Sequence, residues 1–200
     1  MGTITDVKVQ KKNGKRVSVY VDGEFFCGMQ SIVAAREGVK PGAEIDENAL
    51  RSLVSESESV EAFDKALAYL GKGPRTQKEI ENYLYKKEYP GFAVKAALEK
   101  LSDYGYLNDS AYVDAYLSCY AGERGIKRLK ADLMQKGVDK NLLEEKLSAL
   151  DGQEEAASKA AKKYMRAHEN ADKNKLRAYL YSKGFDYSVI YEVTGEDDYD

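Results

Sequence analysis

Residues 133–147, LMQKGVDKNLLEEKL, are helical in pattern except for four residues at their centre, Lys-Gly-Val-Asp. Residues 180–193, LYSKGFDYSVIYEV, carry the same kind of interruption, Lys-Gly-Phe-Asp, 47 residues further along. A helix broken twice in the same way constrains this chain more than any other feature. Aligning the copies on the Lys-Gly pair sets Leu129 with Leu176, Leu133 with Leu180, Val138 with Phe185 and Leu143 with Ile190. A step of 49 residues back from the middle copy reaches Ile80, Leu84, Tyr89 and Val94, apolar again and spaced to share one helical face. This earliest copy has Lys87-Glu88-Tyr89-Pro90-Gly91 in place of the Lys-Gly turn, so its second and third helices are expected to pack differently.

The break has a physical reading. Gly137 and Gly184 can take the left-handed conformation that ends a helix, while Val138 and Phe185 pack back on its last turn. Asp139 and Asp186 then cap the next helix through their carboxylates. A further helix precedes each pair, at Val60–Leu70, Ser110–Tyr120 and Glu154–Arg166. The pattern predicts a mainly α protein of tandem three-helix repeats, over 60–107, 108–150 and 153–195. Units this small bury little core alone, so neighbours should stack into an elongated array.

The first residues follow a different period. TITDVKVQ and KRVSVYV alternate apolar and polar side chains, which places Val17, Val19 and Val21 on one strand face. Asn13-Gly14 and Asp22-Gly23 are turn signals, and together they predict a three-stranded meander. A short helix over about Met29–Glu37 follows, then a helix capped by Asp46 and ending near Ser55. The segment SESES, 55–59, lacks periodicity and is expected to link this N-terminal extension, 1–55, to the repeats.

Composition narrows the function classes. The formal net charge is −3, of which the tail 196–200, EDDYD, supplies −4, leaving the rest of the chain at +1. Bulk charge therefore does not mark a strongly basic nucleic-acid binder, and the tail is expected to be solvated and disordered. Cys27 and Cys119 lie far apart and outside any paired motif, as expected of free thiols in a reducing compartment. No secretory leader opens the chain and no apolar run is long enough to span a bilayer, so a cytoplasmic protein is expected.

No catalytic constellation is visible. His168, the only histidine, sits in the polar run RAHENAD, where a helix-end histidine is the expectation. There is no phosphate-binding glycine loop, metal-ligand cluster or nucleophile elbow, so neither enzyme activity nor a cofactor is expected. Thr76 and Glu79 have the spacing of a capping box, a structural role. Binding is better supported. Arg124, Lys127, Arg128 and Lys130 cluster at one helix start; Arg75, Lys78, Lys86 and Lys87 lie at the corresponding place in the first copy, and Lys173, Lys175 and Arg177 in the third. Recurring cations at equivalent positions can form a stripe for phosphates or an acidic protein surface. Helical cations also serve simply to keep a surface solvated, and both readings stand. Sixteen tyrosines against five phenylalanines and no tryptophan fit core edges first, then a protein interface or base stacking.

The runs ALAYLGKGPRTQKEIENYL, ALEKLSDYGYLNDSAYVDAYL, GIKRLKADLMQKGVDKNLLEEKL and KLRAYLYSKGFDYSVIYEV together resemble the RecX family of bacterial recombination regulators. The order of the Pro-Arg-Thr-x-x-Glu-Ile start, the Tyr-Gly-Tyr-Leu-Asn-Asp turn and the two Lys-Gly-apolar-Asp turns makes the resemblance specific over 60–193. It implies a curved, elongated body of three-helix repeats. It also implies a non-enzymatic protein that binds the RecA filament on single-stranded DNA and suppresses RecA ATP hydrolysis, strand exchange and coprotease activity. The basic residues named above become candidates for that contact, alongside weak direct DNA binding. Two other classes fit the residues alone: a helical nucleic-acid-binding module acting independently of RecA, and a helical scaffold for another protein.

Overall fold

The structure, a computed structural model, describes residues 1–11, 13–168 and 172–195. The acidic tail 196–200 lies outside them. The chain forms two compact units, Met1–Arg75 with Ile80–Leu107, and Thr76–Glu79 with Asn108–Asp200.

The first unit opens with β1 (Gly2–Gln10), β2 (Asn13–Val21), β3 (Glu24–Gln30), α1 (Ser31–Arg36) and β4 (Glu44–Ile45). The strands make one antiparallel sheet in the order β3-β2-β1-β4. Alternation worked as expected in β2: Val17 and Val19 are buried and Val21 packs at the edge of the same core, with Ile4, Met29 and Leu50. Asp22 and Gly23 both adopt positive φ, as a tight hairpin turn requires. Asn13 and Gly14, by contrast, lie in β2, because Asn13 pairs with Gln10. Strand β3 continues through Gln30, which pairs with Arg16, so α1 begins two residues after its expected start. Strand β4 has only two residues, too few to show a period.

The expected linker is a helix. Helix α2 (Glu47–Leu70) runs 24 residues without a break from its cap at Asp46. The polar residues of SESES are tied down rather than solvated. Ser57 is buried and its hydroxyl accepts the backbone N–H of Gln30, Glu56 pairs with Arg36, and Ser55 and Ser59 hydroxyls donate to carbonyls one turn back. Two residues on, Glu61 pairs with Arg16 of β2. Apolar periodicity is thus lost where α2 trades an apolar contact for hydrogen bonds to the sheet. Its first half floors the sheet core through Leu50, Leu53 and Val54; its second half, through Ala62 and Ala66, builds another core with α3 (Gln77–Lys86) and α4 (Gly91–Asp103).

The turn between α3 and α4 keeps the geometry of the later copies despite its different sequence. Glu88 takes φ +64, its N–H donates to the Tyr85 carbonyl and the Tyr89 N–H to the Leu84 carbonyl. The same bond pair closes α6 (Ile126–Gln135) at Gly137 and Val138, and α9 (Lys173–Ser182) at Gly184 and Phe185. What differs is the next cap: Pro90 precedes α4, whereas Asp139 accepts two amides at the start of α7 (Lys140–Ser148). Asp186, expected to cap α10 (Tyr187–Thr194), makes no such bond and instead pairs with Lys127 at 2.6 Å.

In the second unit, α5 (Asp109–Tyr120), α6 and α7 enclose Val113, Leu117, Leu129, Leu133, Val138, Leu143 and Leu147. Helix α8 (Gln153–Ala167) presents Ala156, Ala157, Ala160 and Ala161 to Leu180, Phe185 and Ile190 of the last helix pair. The Lys-Gly turns do more than end helices. The Lys183 carbonyl accepts the Gly125 N–H at 3.0 Å and the Gly184 carbonyl the Lys127 N–H at 3.1 Å. A Cβ on Gly184 would lie 2.3 Å from the Arg128 nitrogen, and one on Gly125 2.2 Å from the Gly184 backbone. The earlier turn repeats the arrangement: the Thr76 hydroxyl donates to the Lys136 carbonyl at 2.6 Å, and a Cβ on Gly137 would lie 2.4 Å from Lys78. The expected capping box is present, with Thr76 and Glu79 each accepting the other's backbone N–H.

Two predictions follow from these turns. Gly184→Ala should cost at least ~2 kcal/mol in urea unfolding, since a left-handed residue costs ~1–2 kcal/mol before any backbone clash. Glu88→Gly removes the same conformational penalty without a clash and should gain about 1 kcal/mol. Tyr89 supplies a pH test. Burial, reinforced by the neighbouring Glu61 carboxylate, pushes its hydroxyl up to about 12. The unfolded chain ionises tyrosine near ~10 while the folded one keeps it neutral, so stability present below that point is lost as pH rises toward 12. Tyr89→Phe should flatten that part of the stability–pH curve.

Candidate functional site

The sequence candidates fall into three settings. In the first unit, the Arg75 guanidinium lies 4.8 Å over the Tyr69 ring and donates to the Pro74 carbonyl, and Lys87 lies 5.9 Å over Tyr83; Lys86 sits in the last turn of α3. In the second unit, Lys175 pairs with Asp172, and Arg177 donates to Thr194 and Gly195 while stacking 4.2 Å over Tyr191. Lys78 and Lys173 are also engaged with neighbours. These contacts hold helix ends in place.

The α6 residues are different because they converge. Asp132, nearly buried, accepts from Arg124 at 2.7 Å and from Arg128 at 3.0 Å. Arg124 also donates to the Tyr116 hydroxyl at 2.8 Å and stacks 4.3 Å over Tyr120. Burial raises the Tyr116 pKa, the Asp132 carboxylate adds to the rise, and Arg124 opposes it. Tyr116 therefore stays a neutral donor, and its hydroxyl donates to Asp132 at 3.1 Å. The two guanidiniums, one carboxylate between them, line a 230 Å³ recess completed by Ser182 and Lys183. Three cations against one already engaged carboxylate favour an anion there, and the fixed Arg124 loses little rotamer freedom on receiving it.

Lys127 and Lys130, one turn apart, face other partners. Lys130 pairs with Glu144 at 3.5 Å. Lys127, its pKa raised by the hydrogen bond to Asp186, lies 6.0 Å from the Tyr187 ring, itself stacked 5.1 Å from Tyr181. Both tyrosines are more than half exposed, and they form an aromatic pair beside an ion pair. Sequence reading passed over Tyr181, Ser182, Lys183 and Asp132. The first three precede or enter the Lys-Gly turn, and only docking of the α6 start on that turn brings Ser182 and Lys183 beside Arg128. Asp132, four residues after Arg128, was legible as a helical partner. His168 ends α8, stacked 4.3 Å from Tyr164, and Cys27 and Cys119 are free thiols, the former with its pKa raised by burial. Among the described residues no helix is long and apolar enough to cross a membrane.

Comparison with known proteins matches the architecture. Residues 2–46 fit the family model of the regulatory protein RecX N-terminal domain, residues 62–101 that of the first RecX three-helix domain and residues 152–194 that of the third. The regulatory protein RecX of Clostridium perfringens strain 13 is 33% identical, with 98% of this chain and 99% of the relative covered. The chain belongs to the RecX family. The regulatory protein RecX of Bacillus velezensis is 30% identical over all of this chain and 79% of its own. A crystal structure of regulatory protein RecX covers 98% of this chain and all of its own, with a TM-score of 0.74 and 25% identity. RecX from Lactobacillus salivarius covers 68% of this chain, with a TM-score of 0.57 and 27% identity. The first three of these are named as regulatory proteins.

The Asp132 cluster makes a quantitative prediction. Asp132→Ala leaves two guanidiniums without their shared acceptor and should cost about 2 kcal/mol in thermal or urea unfolding. Arg128→Gln removes a group that is more than half exposed and should cost under about 0.5 kcal/mol.

Proposed function

We propose that this protein binds RecA filaments assembled on single-stranded DNA and inhibits RecA ATP hydrolysis, strand exchange and coprotease activity, with no chemistry of its own. Membership of a regulatory family along nearly the whole chain carries this reading. The second unit supports it with surfaces suited to binding: the Arg124–Arg128–Lys183 recess for a phosphate or carboxylate, and the exposed Tyr181–Tyr187 pair for a protein contact. Lys127 and Lys130 border these surfaces. Arg75, Lys78, Lys86, Lys87, Lys173, Lys175 and Arg177 are secondary contacts in this proposal, since most already hold neighbours. A modulator of this kind acts by binding one filament state more tightly than another, and no further than that difference allows. Several contacts along one filament would multiply affinity by raising the effective concentration of each.

The test is RecA ATP hydrolysis on single-stranded DNA with the protein titrated in at substoichiometric amounts. Wild type should inhibit, and Arg124→Gln with Arg128→Gln should weaken inhibition about tenfold while the protein stays folded. Absence of inhibition by wild type from low to moderate salt would overturn the RecA reading. Equal inhibition by both proteins would overturn the recess as its contact.

A further inference from the structure

The first unit has an open cleft at one end of its sheet that none of the contacts described above uses. The Asp22-Gly23 turn, the first residues of β1 and β3, strand β4 and the start of α2 enclose about 320 Å³. The floor is apolar, formed by Val21, Ile45 and the fully buried Leu50. Phe25 stands at the edge, its ring set edge-on to Tyr20 at 5.8 Å, yet it is 60% exposed. A phenylalanine placed by one neighbour and otherwise open to water still has apolar area to bury.

The rim is acidic, with Asp22, Glu24 and Glu47 on it beside Met1. Other carboxylates of the sheet and its helices meet cations: Asp6 meets Lys8, Glu61 meets Arg16, and Glu37 and Glu56 meet Arg36. At the cleft Glu47 alone has such a partner, Arg51 at 2.6 Å. Asp22 accepts the Thr3 backbone N–H at 2.9 Å, and the Glu24 carboxylate makes no hydrogen bond or ion pair among the described residues. The turn is tied to β1, since the Asp22 N–H donates to the Thr3 carbonyl at 2.9 Å and the Gly23 N–H to the Thr5 hydroxyl at 3.0 Å. The mouth of the cleft is therefore set before a partner arrives, which lowers the entropic cost of docking.

We propose that this cleft docks a cationic segment of another protein, an extended stretch carrying arginine or lysine beside a large apolar side chain. Charge complementarity selects the sign, because the rim repels nucleic acid and anionic lipid alike. The floor and Phe25 select an apolar anchor, which a simple cation lacks. Arginine suits the rim best. Arg51 already lies 5.6 Å over the Phe26 ring while pairing with Glu47, and a partner guanidinium can repeat that arrangement between Phe25 and Glu24. The inference goes beyond the RecA reading and does not rest on it, since that reading draws on cationic surfaces of the second unit.

The experiment is fluorescence anisotropy of a labelled peptide of alternating arginine and leucine with the full-length protein, without RecA. Wild type should bind it, more weakly as NaCl rises, and should not bind the counterpart of alternating glutamate and leucine. Backbone amide shifts in NMR spectra should concentrate on residues 21–26 and 45–50. Glu24→Lys combined with Phe25→Ser should bind about tenfold more weakly, whereas Glu99→Lys, the same charge change on α4, should bind as wild type does. Equal binding by the double variant, or shifts centred elsewhere, would overturn the proposal, as would no binding by wild type at low salt. Competition by spermine as effective as by unlabelled peptide would show that charge alone acts, and would overturn it too. Self-association in sedimentation that the double variant abolishes would make the occupant a second copy of this chain and overturn the partner named here. None of these failures touches RecA inhibition, which is read in the separate ATPase assay. Unchanged circular dichroism and melting temperature in the double variant separate loss of the surface from loss of fold.

Discussion

The second unit depends on one kind of helix-end contact, made twice: the carbonyl at the end of one helix accepts a donor at the start of another. Helix ends leave carbonyls unpaired and helix starts leave amides unpaired, and burying either without a partner is costly. The Lys183 and Gly184 carbonyls meet the Gly125 and Lys127 amides, and the Lys136 carbonyl meets the Thr76 hydroxyl. At the later turn two sets of orphan groups satisfy each other, and the positive end of one helix dipole faces the negative end of the other. The approach is so close that no Cβ fits at Gly125, Gly137 or Gly184. Glycine is therefore required at the two later turns twice over, for φ and for space. The turn at Glu88 does not receive a helix start in this way, and there a glutamate serves with the same bonds and only the conformational cost.

The same docking assembles the recess. Arg128 follows directly on the residues bonded to the turn, so the turn's own Ser182 and Lys183 come to lie beside its guanidinium. Asp132 then fixes Arg124 and Arg128 together, and Tyr116 and Tyr120 hold Arg124 from a third and fourth side. Such a guanidinium is ordered in advance, which lowers the entropic cost of meeting an anion. The second unit thus offers a recess whose guanidiniums are held in place before any anion arrives.

Much of this was legible in the residues. The apolar period from Ile80 to Ile190 marked the helices, and the Lys-Gly-apolar-Asp turns marked their ends. The Thr76 capping box and the alternation of β2 read true as well. What failed did so for identifiable reasons. SESES looked like a linker because Ser57 satisfies a sheet amide where a helix would normally place an apolar side chain. Asp186 looked like a cap, but a lysine from α6 claims its carboxylate, and no local pattern shows a partner that distant. Among site residues, Arg124 and Arg128 were visible as a basic cluster. Lys183 was read as part of a turn, since only the three-dimensional docking gives it a second role.

Helix α2 carries a consequence for how this architecture can be inherited. A domain joined by a flexible tether can be lost, gained or shuffled by a break at the tether. Here the seam between sheet and first helical bundle runs through the middle of one continuous helix, pinned on the sheet side by Ser57 and Glu61. A break anywhere between residues 47 and 70 strips one of the two cores of its floor. The β-sheet and the first bundle are thus a single heritable block, and a chain that dispenses with the sheet has to rebuild the exposed half of α2 as well.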